Sequence, residues 1–211
     1  MTRIILVRHG QTEWNRLERF RGRADVPLNA TGLAQAQDTG ERIAASASAA
    51  PQWRPIAVYT SPLSRAVRTA EAIARHFDLP VQVHSGLVDI DYGQWQGLSP
   101  SEVQDRWPDE FRRWYEQPHL ARIPGGEALA DLRQRGMAAV AEVTERHPGE
   151  TVILVGHTVI NRVLLLGALG LGNDRFWRLR QDTCAVNVLE AEAGDYTLVT
   201  LNDTCHLAAA G

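Results

Sequence analysis

The most informative part of the sequence is Ile4-Ile5-Leu6-Val7-Arg8-His9-Gly10-Gln11-Thr12-Glu13-Trp14-Asn15. Four apolar residues followed by Arg-His-Gly predict a short buried strand that ends abruptly at a polar turn. Open α/β sheets bind their ligands at such strand ends. A guanidinium beside an imidazole suits an anion, because Arg8 can bind a phosphate bidentately and neutral His9 has a lone pair that can attack phosphorus. The stretch therefore predicts a phosphate site at the end of the first strand.

The same pattern returns late in the chain, at Thr151-Val152-Ile153-Leu154-Val155-Gly156-His157-Thr158. Here too an apolar strand ends at a histidine and leads into a helix. A single histidine after a strand usually has a structural role. Two of them in one chain are harder to ascribe to chance, so the pattern indicates that His157 acts together with His9.

The rest of the sequence alternates strands with helices. Strands are predicted near residues 3–8, 56–60, 81–83 and 151–155, and helices near 31–46, from Ser61-Pro62 to about 77, and from 127 to 147. Two alternating segments, 185–190 and 196–201, predict a hairpin that adds to the sheet. This order of elements is typical of an α/β fold, a three-layer α/β/α sandwich.

With 211 residues, the chain is long enough for one domain with a sizeable core. A capping box at residues 99–102 begins a segment that is bounded by prolines and rich in aromatic residues. We interpret this segment as a small helical cap, inserted at about residues 92–126 into a single domain of residues 1–211. The alternative is that its aromatic side chains belong to the core, and for Trp114 the sequence favours neither.

The composition excludes several kinds of chemistry. All 22 basic residues are arginine, which rules out a Walker A loop and Schiff-base catalysis. The formal net charge of −3 provides no field that would attract nucleic acid or a membrane surface. The chain start predicts a strand rather than a leader, and no window approaches the ~18 apolar residues that span a bilayer. We therefore expect a cytoplasmic protein without nucleic-acid or membrane partners, with Cys184 and Cys205 as free thiols.

Four motifs carry a resemblance to a known family. Residues 6–15, 59–70, 87–97 and 155–162 together resemble the signature of the histidine phosphatase superfamily, in its phosphoglycerate mutase-like branch. The resemblance covers the chain nearly end to end. It implies the phosphoglycerate mutase-like fold, with a mostly parallel sheet and one antiparallel strand. It also implies that His9 is phosphorylated transiently during the reaction.

The resemblance further implies which residues bind the phosphoryl group. Arg8, Arg65, His157 and Asn15 would hold its oxygens. From its position in the first turn of a helix, we expect Arg65 to be exposed. Donors that are already in place stabilise the charge of the transition state best. No metal and no cofactor is expected, because the cationic side chains provide the charge that a metal would.

Three positions depart from the family's usual pattern, namely Arg21 at the substrate entrance, Thr158 beside the phosphate and Asp89 as the acid. Arg21 and Gly22 lie in the segment that lines the entrance, where Arg21 replaces the more usual Gln or Thr. Thr158 stands where glycine is more common, which makes its hydroxyl or amide a candidate phosphate ligand. The proton donor is usually Glu, whereas this chain has Asp89, with Asp91 as the competitor two residues away.

We therefore predict a metal-independent phosphomonoesterase that acts through a phosphohistidine on a small phosphorylated metabolite. A mutase of the same family is the main alternative, although residues 89–125 leave little room for the larger insertion of glycolytic mutases. A two-histidine nuclease is disfavoured by the net charge, and a non-catalytic phosphate-binding module would lack the nucleophile or the acid. The physiological substrate and the oligomeric state, for which a homodimer is the candidate, stay open.

Overall fold

A six-stranded sheet runs through the protein, which a computed structural model describes over residues 1–207. Its strands are β1 (Thr2–Arg8), β2 (Pro55–Thr60), β3 (Val81–Val83), β4 (Thr151–Gly156), β5 (Val186–Glu192) and β6 (Asp195–Asp203). They lie in the order β3-β2-β4-β1-β5-β6. Residues 208–211, the end of the predicted domain, lie outside the described residues.

The direction of the strands confirms the predicted fold class. β1 to β4 are parallel, whereas β5 is antiparallel to both of its neighbours, β1 and β6. The sheet is therefore mostly parallel with one antiparallel strand, and β5 and β6 form the predicted hairpin. β1 and β4 pair in register as far as Arg8 and Gly156. The residues that follow, His9 and His157, consequently lie side by side at the carboxyl ends of these two strands.

Helices cover both faces of this sheet. They are α1 (Glu13–Arg16), α2 (Ala30–Ala49), α3 (Ser64–Ala74), α4 (Pro100–Arg106), α5 (Pro108–Glu116), α6 (Leu129–Arg146) and α7 (Thr158–Ala168). Alternate residues of β1 belong to different core clusters. Ile4 packs with residues of α6 and α7, whereas Ile5 packs with residues of α2 and α3. The predicted three-layer sandwich is thus confirmed, because successive strand residues point to opposite faces.

The start of α3 differs from the prediction. Ser61 and Pro62 were expected to cap and begin this helix, but it begins at Ser64. The hydroxyl of Ser61 is instead hydrogen-bonded to Nε2 of His157, at 2.7 Å. A side chain that is engaged across the site in this way does not cap a helix, and the helix starts one residue after Leu63.

The aromatic segment forms two short helices. α4 begins at the predicted capping box of Ser99 and Glu102, and Pro108 then begins α5. Trp114 of α5 is 1% exposed and belongs to the same core cluster as Ile4. This tryptophan is therefore a core residue. Within residues 1–207, no helix combines the length and the apolar character needed to cross a membrane.

Candidate active site

Four segments meet at the carboxyl ends of β1 and β4. They are the two strand ends, the start of α3 and the segment after β3. They bring His9, His157, Arg8, Arg65 and Asp89 together in one buried cluster, each with an exposed fraction of 8% or less. The ring centroids of the two histidines lie 5.0 Å apart. The five residues that the sequence assigns to the reaction are therefore neighbours, although they come from four separate stretches of the chain.

The environment of His9 keeps its ring neutral and orients it. Nδ1 lies 2.6 Å from the carbonyl oxygen of Gly10, which can only accept a hydrogen bond. The ring proton is thereby assigned to Nδ1, and Nε2 retains its lone pair. Burial is the main reason that the pKa of His9 lies well below 6.5, and the positive charges of Arg65 and Arg8 add to the effect. At neutral pH, Nε2 is an uncharged nitrogen that can act as a nucleophile.

His157 is the residue before α7, and it too is neutral. Burial and the nearby charge of Arg65 hold its pKa well below 6.5. The hydroxyl of Ser61 accepts a hydrogen bond from the backbone N–H of Leu63, and we assign its own proton to the hydrogen bond with Nε2 of His157. The ring proton is then on Nδ1, which has no hydrogen-bond partner among residues 1–207. His157 consequently offers a free donor to the site.

The two arginines of the cluster are held by backbone carbonyls. Arg8 donates from NH1 to the carbonyl of Gln181, at 2.6 Å. Arg65 donates to the carbonyls of Gly22 and Ala24, both at 2.7 Å. Burial lowers the pKa of Arg8 to about 9 and that of Arg65 to about 10, so both stay protonated at neutral pH. The expectation that Arg65 is exposed was wrong: its side chain is fully buried, because it ties α3 to the loop at residues 22–24.

Several buried donors in this cluster have no partner. Within residues 1–207, this holds for Nε of Arg8, Nε of Arg65, Nδ1 of His157 and Oγ1 of Thr158. Leaving a buried polar group unpaired costs about 1–3 kcal/mol, so such groups rarely gather in one place without a reason. An anion with several oxygens would satisfy these donors together, and a phosphoryl group is such an anion.

The remaining predicted ligands line the approach to this cluster. Oδ1 of Asn15 accepts hydrogen bonds from the backbone and hydroxyl of Thr12, which leaves the amide nitrogen of Asn15 for a ligand. Arg21 donates to the carbonyl of Trp14, at 3.1 Å. Gly22 has a φ of +49°, and a Cβ there would lie 2.8 Å from the carbonyl oxygen of Ile90. Only glycine fits at this position. The loop at Gly22 can therefore pack closely against the segment that carries Asp89.

The two candidate acids differ in their surroundings. Asp89 is 4% exposed, and its carboxylate accepts a hydrogen bond from the backbone N–H of Ile160, at 3.4 Å. Burial raises the pKa of Asp89, although the charge of Arg65 acts in the opposite direction. Asp91, in contrast, faces away from the cluster: it accepts from the backbone N–H of Gly93 and forms an ion pair with Arg23. The geometry and the raised pKa both favour Asp89 as a proton donor.

A cleft of about 420 Å³ leads to the cluster. Arg8 and Asp89 are at the cleft surface, whereas His9, Arg65 and His157 lie behind them. The outer wall includes residues that sequence reasoning missed or left without a role, namely Arg162, Gln181, Tyr115 and Trp177. Arg162 had a signal because it lies one helical turn after Thr158, and Tyr115 because it belongs to the aromatic segment interpreted as a cap. No group of three His, Cys, Asp or Glu side chains within residues 1–207 is arranged to hold a metal ion.

Comparison with known proteins agrees with this geometry. Residues 4–204 match the model of the histidine phosphatase superfamily, branch 1. Phosphoserine phosphatase 1 of Hydrogenobacter thermophilus is 35% identical over 98% of this chain and 95% of its own length. The metal-independent phosphoserine phosphatase of Arabidopsis thaliana is 31% identical over 100% of this chain and 85% of its own. The solved structure of Bacillus stearothermophilus YhfR is 30% identical, with a TM-score of 0.90 over 99% of this chain and 100% of that one.

The chain belongs to the histidine phosphatase superfamily. It is a phosphoric monoester hydrolase.

Proposed function

We propose that His9 accepts the phosphoryl group of a small monoester and then releases it to water. The observation that carries this proposal is the hydrogen bond from Nδ1 of His9 to the carbonyl of Gly10, which leaves Nε2 with a lone pair in a site rich in arginine. A nucleophile that is neutral at neutral pH needs no base to activate it. The family's use of a transient phosphohistidine supports the same step.

The reaction then has two steps. In the first, Nε2 of His9 attacks phosphorus, the bond from phosphorus to the ester oxygen breaks, and the carboxyl group of Asp89 gives its proton to the departing alkoxide. In the second, the Asp89 carboxylate takes a proton from a water molecule, whose oxygen attacks the phosphohistidine. The bond from phosphorus to nitrogen breaks, and its electron pair returns to Nε2. Asp89 thus serves first as an acid and then as a base.

The charge that develops on the phosphoryl oxygens is stabilised by donors already in place. We assign this role to Arg8, Arg65, His157 and the hydroxyl of Thr158, which is supported by their unpartnered donors, and to the amide nitrogen of Asn15, whose Oδ1 is held by Thr12. Preorganised donors of this kind act strongly in a buried site, because solvent does not screen them. The two guanidinium groups supply positive charge, so the proposed chemistry requires neither a metal nor a cofactor.

The outer part of the cleft favours a second negative group on the substrate. Arg162 lies at the cleft wall with its guanidinium 5.0 Å from the rings of Phe176 and Trp177, and its Nε has no partner within residues 1–207. Arg21 is close by, at the entrance. We therefore propose a small phosphomonoester that carries a carboxylate. Phosphoserine, the compound in the names of two relatives, is a monoester of this class.

We also propose the location, the domain organisation and the oligomeric state of the protein. We place it in the cytoplasm, which is supported by the free thiols of Cys184 and Cys205. We treat residues 1–211 as a single domain with residues 92–126 as its cap, since Pro100 and Tyr115 line the cleft. We retain a homodimer as the candidate oligomeric state, to be measured by light scattering.

Hydrolysis should dominate over mutase activity. A short cap does not retain the dephosphorylated product, so water reaches the phosphohistidine first. Phosphate release from phosphoserine, 3-phosphoglycerate and glycerol 3-phosphate should be measured beside the conversion of 3- to 2-phosphoglycerate. We expect phosphate release, with the carboxylated esters preferred over glycerol 3-phosphate. Rapid interconversion of the phosphoglycerates with negligible phosphate release would identify a mutase instead.

Replacing Arg65 with alanine should lower kcat by roughly 10²- to 10³-fold, the scale of losing one preorganised transition-state donor. It should also lower the Tm, because the carbonyls of Gly22 and Ala24 lose their donor. Arg68→Ala is the matched control, since Arg68 lies on the same helix but is exposed and forms an ion pair with Glu71. Arg65 would have no part in the reaction if kcat in Arg65→Ala stayed within a fewfold of the wild-type value.

A further inference from the structure

The guanidinium of Arg135, on α6, contacts the segment that carries Asp89. NH1 donates to the carbonyls of Gly86 and Val88, at 3.0 and 2.7 Å, and NH2 donates to the carbonyl of Asp89, at 3.0 Å. Its other two donors reach the carboxylate of Glu127, with Nε at 2.8 Å and NH2 at 3.0 Å. A guanidinium has five N–H groups, and all five of these are used.

The segment that receives these bonds has no regular structure of its own. Residues 88–92 follow a short 3₁₀ turn and belong to neither a helix nor a strand. Their carbonyls therefore lack the partners that a sheet or helix would provide, and such groups need donors from elsewhere. Arg135 supplies them for Val88 and Asp89, from a long helix packed on the sheet. The side chain that fixes this segment thus belongs to a rigid element.

Glu127 holds the guanidinium in place and extends the contact. Its carboxylate also accepts from the backbone N–H of Asp91, at 3.3 Å, and lies 3.5 Å from NH2 of Arg23. The side chain of Glu127 is only 13% exposed. A planar guanidinium that binds a carboxylate through two parallel bonds has a defined orientation. Glu127 and Arg135 together therefore hold the backbone on both sides of Ile90.

We infer that Arg135, oriented by Glu127, is a positioning residue for the proton donor: it fixes the backbone at Asp89 so that the carboxyl group reaches the leaving oxygen. This inference rests on the proposed function, in which Asp89 is the acid. Asp has only two side-chain torsions, so its carboxyl group follows the backbone closely. The carboxylate also accepts from the backbone N–H of Ile90, within the same segment, and from that of Ile160 at 3.4 Å, a long hydrogen bond that restrains it weakly. The position of the acid then depends on the three bonds that Arg135 donates to the carbonyls of Gly86, Val88 and Asp89.

The test compares two esters, because general acid catalysis matters for a poor leaving group and little for a good one. The kcat/KM values for glycerol 2-phosphate and p-nitrophenyl phosphate report the first phosphoryl transfer, in which the leaving group departs. In Arg135→Met, we expect kcat/KM for glycerol 2-phosphate to fall by about 10- to 100-fold, the scale of a misplacement of roughly 1 Å. The value for p-nitrophenyl phosphate should change by less than about threefold.

Arg133→Met is the matched control. Arg133 lies on the same helix and also donates to a backbone carbonyl, but to that of Leu171, far from the acid segment in the chain. Its loss should not alter the ratio of the two kcat/KM values. In an Asp89→Asn background, Arg135→Met should cause no further change in the ratio, since the acid that it positions is already gone. Where Arg135→Met fails to fold, Arg135→Lys and Glu127→Gln provide the same comparison.

The outcomes separate this inference from the function on which it rests. If kcat/KM fell equally for both esters in Arg135→Met, their ratio would be unchanged. Arg135 would then be merely structural, and the inference would be overturned. A selective loss that persists in the Asp89→Asn background would overturn it as well. If Asp89→Asn itself showed no selectivity between the esters, the acid role of Asp89 would fail, and the positioning role with it.

Discussion

His9→Ala should lower kcat by roughly four to six orders of magnitude, the scale observed when a covalent nucleophile is removed. The expectation follows from the neutral ring of His9, which places an unprotonated Nε2 beside Arg8 and Arg65. Without this nitrogen, the phosphoryl group has no acceptor in the site, and only binding and charge stabilisation remain. The measurement is phosphate release from phosphoserine, with enzyme concentrations high enough to detect slow turnover.

The control for this variant is His119→Ala. His119 lies on the surface near the end of α5, so that its removal leaves the buried cluster unchanged. His9→Asn serves as a second variant, because it leaves a smaller gap in the buried site than alanine does. If His9→Ala or His9→Asn kept more than about a tenth of the wild-type kcat, another residue would have to be the nucleophile.

Asp89→Asn should reduce kcat/KM for glycerol 2-phosphate by roughly 10²- to 10⁴-fold, the usual contribution of general acid catalysis. An alkoxide must be protonated as it departs, whereas p-nitrophenolate leaves readily, so kcat/KM for p-nitrophenyl phosphate should fall much less. Asp91→Asn is the matched control, two residues away. Its carboxylate is occupied by the backbone of Gly93 and by Arg23, and we expect no dependence on the leaving group.

The pH profile provides a second readout for Asp89. Burial raises its pKa, so the carboxyl group keeps its proton to a higher pH than an exposed Asp does. The acid must be protonated in the first step, and kcat/KM for the alkyl ester should therefore fall as pH rises through this raised pKa. This descending limb of the pH profile should be missing in Asp89→Asn. The ionisation of the substrate, in contrast, affects the wild-type enzyme and the variant alike. If Asp91→Asn lost the limb instead, Asp91 would be the acid.

The sequence was sufficient to predict the parts of the site that depend on local pattern. An apolar strand followed by Arg8 and His9, and another followed by His157, predict two polar strand ends. Parallel pairing of β1 and β4 in register then brings them together. The choice of Asp89 over Asp91 came from the resemblance, and the burial of Asp89 agrees with it.

What could not be predicted depends on contacts between distant parts of the chain. Arg65 has the sequence context of an exposed first-turn residue, yet it is buried because the loop at residues 22–24 folds over it. Ser61 has the pattern of a helix cap, but it bonds to His157, 96 residues later. Arg135 lies among polar residues of α6, and nothing in its neighbourhood in the sequence indicates that it binds the acid segment. Local patterns contain no information on such partners.

If His9 carries the phosphoryl group during turnover, the phosphohistidine can be trapped on the enzyme. The enzyme is mixed with a monoester labelled in its phosphoryl group, quenched in base within milliseconds, and digested for mapping of the labelled peptide. We predict a label that is stable in base and labile in acid, on the peptide that contains His9. A label on Ser61, or no label from an enzyme whose His9→Ala variant remains fully active, would show that His9 is not the nucleophile.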